Sequence, residues 1–207
     1  MRTSRLLAPL LALTLTAAPA SAQQSGFALD RFDPAPAGDR MFGVQSPFVA
    51  GARTLHLALL ADYAHDPLVL RSLPGNGSLG AVVSSQLFFH LDGGFALWNR
   101  LYLNFDVPVA LYQSGADPTV GGQTFTSPAK PQFGDLRLGT RVRIWGEDTD
   151  PFQIAVAGYL WLPTGSSGVG TFVSDGRVRG EPAVVAGGRG GDKFSRGLGT
   201  GFELCRE

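Results

Sequence analysis

The chain has a single cysteine and no excess of charge of either sign, and each of these features excludes a class of protein. Its single cysteine, Cys205, has no partner within the 207 residues, so no internal disulfide can form. Seventeen lysines and arginines balance seventeen aspartates and glutamates, which gives no general attraction to nucleic acid or to acidic partners. Beyond the first 22 residues, no apolar run approaches the roughly 20 residues that a transmembrane helix needs. We therefore expect neither a disulfide-stapled domain nor a nucleic-acid-binding protein nor a helical membrane protein.

The first 22 residues have the features of a cleaved export signal. Arg2 and Arg5 give a positive start, an apolar stretch from Leu6 to Ala18 follows, and the small residues at 20–22 form a cleavage pattern. The apolar stretch is too short to anchor the chain in a bilayer as a spanning helix. We therefore predict export across the inner membrane.

Residues typical of strands and turns are abundant, with 28 glycines, 14 prolines and 14 phenylalanines. The segment Leu101–Tyr112 alternates without a miss between apolar odd positions and mostly polar or small even positions. A strand sends successive side chains to opposite faces, so this segment has one apolar face and one polar face. The same pattern predicts seven strands, at Thr54–Leu70, Val83–Leu97, Leu101–Tyr112, Asp135–Trp145, Phe152–Leu162, Glu181–Gly187 and Phe194–Leu204.

The connections between these strands differ in length from one end to the other. Short turns follow Leu97 and Trp145, whereas long loops follow Leu70, Tyr112 and Leu162. Bacterial outer-membrane barrels have short periplasmic turns and long outer loops, while a soluble β-sandwich gives no reason for such segregation. We predict an all-β fold, an antiparallel transmembrane β-barrel of about eight strands or part of a larger one. Its predicted location is the cell outer membrane.

The polar faces of the predicted strands would line the lumen of such a barrel. An arginine facing hydrocarbon would cost about 2–4 kcal/mol near the midplane, so the three arginines of one strand are expected to point inward. With the acidic residues there, they would form an ion-pair network that plugs the interior, or they would line a polar passage. The predicted lumen-lining residues are His56, Asp62, Gln86, His90, Asp92, Asn104, Asp106, Arg137, Arg141, Arg143 and Gln153.

The sequence contains no recognised enzyme signature. Ser84, His90 and Asp92 share the lumenal face and are the candidates for a membrane-embedded hydrolase, but histidines in a polar lumen are more often hydrogen-bonded fillers. His56 and His90 have aspartates nearby and could bind a metal, but strand spacing without a recognised motif is weak support. We expect a protein that is not an enzyme, with no catalytic site, no metal site and no cofactor.

Short motifs follow one another along most of the chain after the export signal. They are Gly26–Pro34, Gly38–Phe42, Leu59–Ala64, Gln86–His90, Leu97–Leu101, Val107–Tyr112, Phe133–Gly139 and Leu162–Gly165. In this order they resemble the N-terminal barrel of a group of OmpA-family outer-membrane proteins known from myxobacteria and relatives. In such proteins calcium-binding acidic repeats and a peptidoglycan-binding domain commonly follow the barrel. We expect no peptidoglycan binding from this chain alone.

The predicted strand count is odd, whereas single-chain bacterial barrels have even numbers of strands. Seven strands that start from the periplasm would leave the C-terminus outside, and Gly187–Gly201 is unusually rich in glycine. We therefore expect a truncated or frame-shifted relative of a longer protein. The alternative is an eighth strand within Arg40–Ala52.

The sequence thus predicts a signal peptide (1–22), an N-terminal periplasmic segment (23–53) and a barrel domain (54–207), which we expect to be incomplete at its C-terminus. The predicted role is that of a structural envelope protein or a passive pore. Expected partners are outer-membrane lipid, periplasmic chaperones and the barrel-assembly machinery. The alternatives are a secreted soluble β-sandwich that binds a ligand, and an outer-membrane barrel hydrolase.

Overall fold

The computed structural model describes residues 27–49, 51–72, 75, 77–190, 194–201 and 203–205, so the predicted signal peptide lies outside the described residues. Every regular element within these ranges is a β-strand. The strands are β1 (Arg53–Arg71), β2 (Ser78–Leu97), β3 (Leu101–Ser114), β4 (Thr119–Val120), β5 (Gln123–Thr124), β6 (Gln132–Phe133), β7 (Leu136–Trp145), β8 (Gln153–Leu162), β9 (Arg179–Gly190), β10 (Phe194–Gly201) and β11 (Leu204–Cys205). In this part of the chain no helix is long and apolar enough to cross a bilayer.

The seven longer strands form one antiparallel sheet in the order β1, β2, β3, β7, β8, β9, β10, which curls into a half-barrel. β6 adds a short ladder to β3, β11 adds one to β9, and β4 and β5 form a separate small hairpin. The predicted all-β, antiparallel fold is confirmed, and each predicted strand coincides with an observed one. The last predicted strand is divided into β10 and β11.

Short connections lie at one end of the strands. Residues 98–100 join β2 to β3, and residues 146–152 join β7 to β8. In the first of these turns Trp98 and Asn99 have φ angles of 51° and 56°, the left-handed conformation that a tight hairpin turn needs. Backbone carbonyls of the segment that precedes β1 accept hydrogen bonds from both of these residues, which fixes the turn.

The longer connections lie at the opposite end. They are residues 115–135, which contain β4, β5 and β6, and residues 163–178. The β1–β2 connection is at this end as well, but it comprises only residues 72–77, because β1 and β2 extend to 19 and 20 residues. The expectation of a long loop after Leu70 is therefore wrong.

The sheet presents its apolar side chains outward. In β1, alternate leucines at 55, 57 and 59 are 63%, 67% and 69% exposed. We call the side of the sheet that bears these residues the outer face. Its other exposed large side chains include Tyr63, Leu91, Phe95, Leu103, Phe105, Leu111, Leu138, Val142, Ile144, Val156, Leu160 and Val184. Odd positions form this face along most of β1–β3 and even positions form it in β7–β9, and the alternation of residues along the sequence predicts this for β1–β3, β7 and β8.

The opposite side, the inner face, is covered by the segment before β1. Residues 27–49, here called the inner segment, run along the curled sheet without forming a strand. Ala35, Ala37 and Val49 of this segment are 6%, 3% and 1% exposed. The inner face therefore packs against an irregular segment and not against a second large sheet. Residues 40–49 and 51–52 contain no strand, so the alternative of an eighth strand there is wrong for the described residues.

Candidate functional site

The polar side chains predicted to line a lumen all lie on the inner face. Nine of the eleven are buried, and His56 and Asp62 at the β1 edge are half-buried. Most of them gather in three groups, centred on His90, Arg137 and Arg141.

His90 lies at the centre of the first group. Its Nδ1 atom is 3.0 Å from Oδ2 of Asp106, and its Nε2 atom is 3.2 Å from Oδ2 of Asp62 and 3.6 Å from Oδ2 of Asp30. Asp62, His90 and Asp106 come from β1, β2 and β3, three adjacent strands, whereas Asp30 comes from the inner segment. The group therefore joins three strands to the segment that covers them.

Arg137 of β7 lies beside a close pair of aspartates. Asp92 and Asp106 are register partners on β2 and β3, and Asp106 is in turn the register partner of Arg137. Like charges directly opposite one another destabilise a sheet, and Arg137 offsets this repulsion. Its Nη2 atom is 3.4 Å from Asp92 Oδ2 and donates a 2.7 Å hydrogen bond to the carbonyl of Pro34. One guanidinium thus bridges the sheet and the inner segment.

Arg141 of β7 holds the next turn of the inner segment. Both of its terminal nitrogens donate to the Asp39 carboxylate at 2.9 Å, and Nη1 also donates to the carbonyl of Ser46. The guanidinium carbon lies 5.4 Å from the ring centroid of Tyr102, whose hydroxyl donates to the carbonyl of Ala37. A Cβ at Gly94 would be 2.0 Å from that hydroxyl, so glycine is required there to make room for the ring.

The remaining predicted residues lie outside these three groups. Gln86 donates to Gln113, and the guanidinium of Arg143 donates to the backbone carbonyl of Asn99. The amide of Gln153 donates to the carbonyl of Asp148. The His56 ring packs 6.0 Å from that of Tyr102, while the side-chain amide of Asn104 is buried without a hydrogen-bond partner among the described residues.

Three aspartates of the inner segment, Asp30, Asp33 and Asp39, complete the site, and sequence reasoning did not include them. Asp33 accepts a 3.2 Å hydrogen bond from the indole of Trp161 and lies 3.7 Å from Arg137. Partial desolvation raises the pKa of the Asp33 carboxyl, an effect that Arg137 opposes; since 49% of the side chain stays accessible, solvent limits both effects. The only sequence signal for these residues was acidic character in a segment with no strand periodicity.

The residues considered for hydrolysis do not meet. The Ser84 hydroxyl bonds to Ser114, the His90 ring faces Asp62 and Asp106, and Asp92 accepts a hydrogen bond from the Ala37 backbone. Ser84 and His90 are six residues apart on one strand, a separation of roughly 20 Å. The arrangement provides no activated nucleophile at these positions.

The inner face is therefore a buried network of charges between the sheet and the inner segment. Comparison with protein-family models, with curated proteins and with solved structures finds no match to this chain.

Proposed function

We propose that this chain forms part of the wall of an outer-membrane β-barrel and has a structural, non-enzymatic role in the cell envelope. The observation that carries this function is the outer face, where leucine, valine, isoleucine and phenylalanine are exposed on strands β1–β3 and β7–β9. Monomeric soluble proteins rarely expose continuous apolar patches larger than a few hundred Å². A hydrocarbon environment around the sheet would account for this face.

The distribution of charge supports the same placement. Arg137 and Arg141 are each 1% exposed, and both point to the inner face, where aspartates contact them. A polar interior behind an apolar exterior is the usual arrangement in membrane barrels and the reverse of a soluble protein with an apolar core. The secreted sandwich, our soluble alternative, would need a second sheet against the inner face, where the structure has the inner segment.

Membrane insertion also requires closure of the sheet. Among the described residues β1 and β10 are the edge strands of the large sheet. Unpaired backbone groups in hydrocarbon cost several kcal/mol each, so these edges must pair with further strands in the membrane. The resemblance to the N-terminal barrel of OmpA-family proteins fits a wall completed in this way.

The inner segment favours a structural wall over a diffusion pore. Asp39, Pro34 and Ala37 of this segment all bond to side chains of the inner face, and the alanines and prolines between them are buried. A passive pore would have to pass solutes beside or through this segment. We therefore favour a structural wall with an occluded interior as the function, and a passive pore is the second candidate.

Membrane fractionation tests the proposed location. The chain would be expressed with its export signal, outer membranes would be separated from periplasm, and the membranes would be washed with alkaline carbonate. We expect the protein to stay with the washed outer membranes, and to migrate on a gel in a heat-modifiable way where further strands close the sheet. Recovery of folded protein in the soluble periplasmic fraction would overturn the proposal and favour a soluble binding protein.

A further inference from the structure

We propose that His90, Asp62 and Asp30 bind a divalent transition-metal ion, with Zn²⁺ as the representative case. One ligand atom from each residue lies within 4.8 Å of the other two. The His90 Nε2 atom is 3.2 Å and 3.6 Å from the two carboxylate oxygens. Zinc binds nitrogen and oxygen at about 2.0–2.2 Å, which places tetrahedral ligands about 3.4 Å apart. The observed separations therefore match a shared ion with only small side-chain adjustments.

The orientation of His90 is fixed in the way that metal-binding histidines require. Its Nδ1 atom is 3.0 Å from Asp106, and Asp106 is 2% exposed. A carboxylate that accepts the Nδ1 proton holds the ring, sets the tautomer and makes Nε2 a better ligand. In that tautomer the Nε2 lone pair faces the Asp62 and Asp30 carboxylates, and a bound cation would take the place of the proton that can otherwise bridge Nε2 and Asp62.

The surroundings have an excess of negative charge. Arg137 contacts Asp33, Asp92 and Asp106, whereas Asp30 and Asp62 face His90. Five carboxylates thus meet Arg137 and His90, with Arg179 as a further cation that lines the same cavity. In addition, the Oδ1 atom of Asp106 is buried with no hydrogen-bond partner among the described residues. A bound divalent cation would lower the electrostatic cost of this cluster.

The ligand set and its access indicate the class of ion. Imidazole suits zinc and its first-row neighbours, whereas Mg²⁺ and Ca²⁺ prefer oxygen ligands alone. His90 is 3% exposed, but the side chains of Asp30 and Asp62 are 14% and 23% exposed, so an ion can enter from their side. The ring centroids of Phe32 and Phe88 lie 5.8 Å and 6.2 Å from that of His90, so both rings pack beside the imidazole. Such an ion would fasten the inner segment to β1 and β2.

Metal titration of the whole chain tests this site. The protein, folded in detergent micelles and treated with a chelator, would be titrated with Zn²⁺ by calorimetry and with Co²⁺ by absorption spectroscopy. We expect one ion per chain, with no displacement by excess Mg²⁺. His90→Gln should weaken binding at least tenfold. His65→Gln is the matched control, because His65 lies 3.4 Å from Asp66 but is exposed on β1, and it should bind as the unchanged chain does.

A second variant decides the question if His90→Gln does not fold. Asp30→Asn alters the inner segment and leaves every strand unchanged, and retention of the fold would be checked by circular dichroism and gel migration. It should also lose at least tenfold in Zn²⁺ affinity. Absence of Zn²⁺ binding to the unchanged chain, or undiminished binding in a folded His90→Gln or Asp30→Asn variant, would overturn the site. The titration is independent of the proposed membrane location, which fractionation tests separately.

Discussion

Arg141 and Asp39 form a bidentate ion pair across 102 residues of sequence, with both nitrogen–oxygen distances at 2.9 Å. Both side chains are almost completely buried, at 1% and 2% exposure. Ser46 also donates to the same carboxylate through its backbone and its hydroxyl. The central turn of the inner segment is therefore fixed to β7 by one buried charge pair and the hydrogen bonds around it.

Breaking this pair should destabilise the fold strongly. In Asp39→Asn the Arg141 guanidinium stays buried without its counter-charge, and we expect a loss of about 3–5 kcal/mol in the free energy of unfolding. Urea denaturation of the protein in detergent micelles measures this loss. The control is Asp148→Asn, which removes a partly exposed pair with Arg40 at 3.6 Å and should change stability by less than about 1 kcal/mol. Equal effects of the two substitutions would show that the buried pair does not hold the segment.

The same pair should control the permeability of the interior. If the inner segment occludes the lumen, the unchanged chain in a planar lipid bilayer should conduct very little. A double Asp39→Asn, Arg141→Gln variant removes both buried charges without leaving one unpaired, so we expect open-channel events to become more frequent. Conductance recordings of both proteins, with Asp148→Asn as the control, measure this. Large and identical currents from all three would favour the passive pore over the occluded wall.

A charged substitution on the outer face should be harmless if that face contacts water and destabilising if it contacts lipid. Leu138 of β7 is 40% exposed, and a surface substitution in a soluble protein usually changes stability by less than about 0.5 kcal/mol. In a membrane barrel, Leu138→Arg should instead cost about 2–4 kcal/mol if the residue lies near the midplane. Yield of protein in washed outer membranes and urea stability in lipid vesicles measure the effect.

An arginine placed away from the outer face is the control for a general effect of added charge. Thr119 is exposed in the small β4–β5 hairpin, and Thr119→Arg adds the same side chain there. We expect membrane yield to fall for Leu138→Arg and to stay unchanged for Thr119→Arg. If Leu138→Arg is as harmless as its control, the outer face does not contact lipid.

The strands and their two faces could be predicted from the sequence because a period of two is a local property. Residues 101–112 alternate strictly, and the structure places their odd positions outward and most of their even positions inward. The switch to even outward positions in β7 was also readable, since the arginines at 137, 141 and 143 alternate with apolar residues. These features depend only on side chains a few residues apart.

The inner segment could not be predicted because its contacts are distant and have no period. Arg137 binds the Pro34 carbonyl across 103 residues, and Trp161 binds Asp33 across 128. Asp30 likewise gave no sign in the sequence that it would face His90. Alanine and proline in this segment are buried against the sheet, although such a composition usually indicates an exposed linker. The sequence therefore predicted only the members of the charged cluster that lie on strands, and not those of the inner segment.

The two ends of the strands should lie on opposite sides of the outer membrane. Gly121 and Gly122 form the tip of the β4–β5 hairpin, with φ angles of 59° and 82° and no atom within 4 Å of an added Cβ, so an epitope tag inserted between them should leave the sheet intact. Thr149 is exposed in the short turn between β7 and β8, at the other end. On intact cells we expect antibody and protease to reach the tag at 121–122, because the long loops face outward in barrels of this kind. A tag at Thr149 should become accessible only after the outer membrane is permeabilised. Equal accessibility of both tags on intact cells would contradict the predicted topology, and protection of the first tag alone would show that the barrel is inserted the other way round.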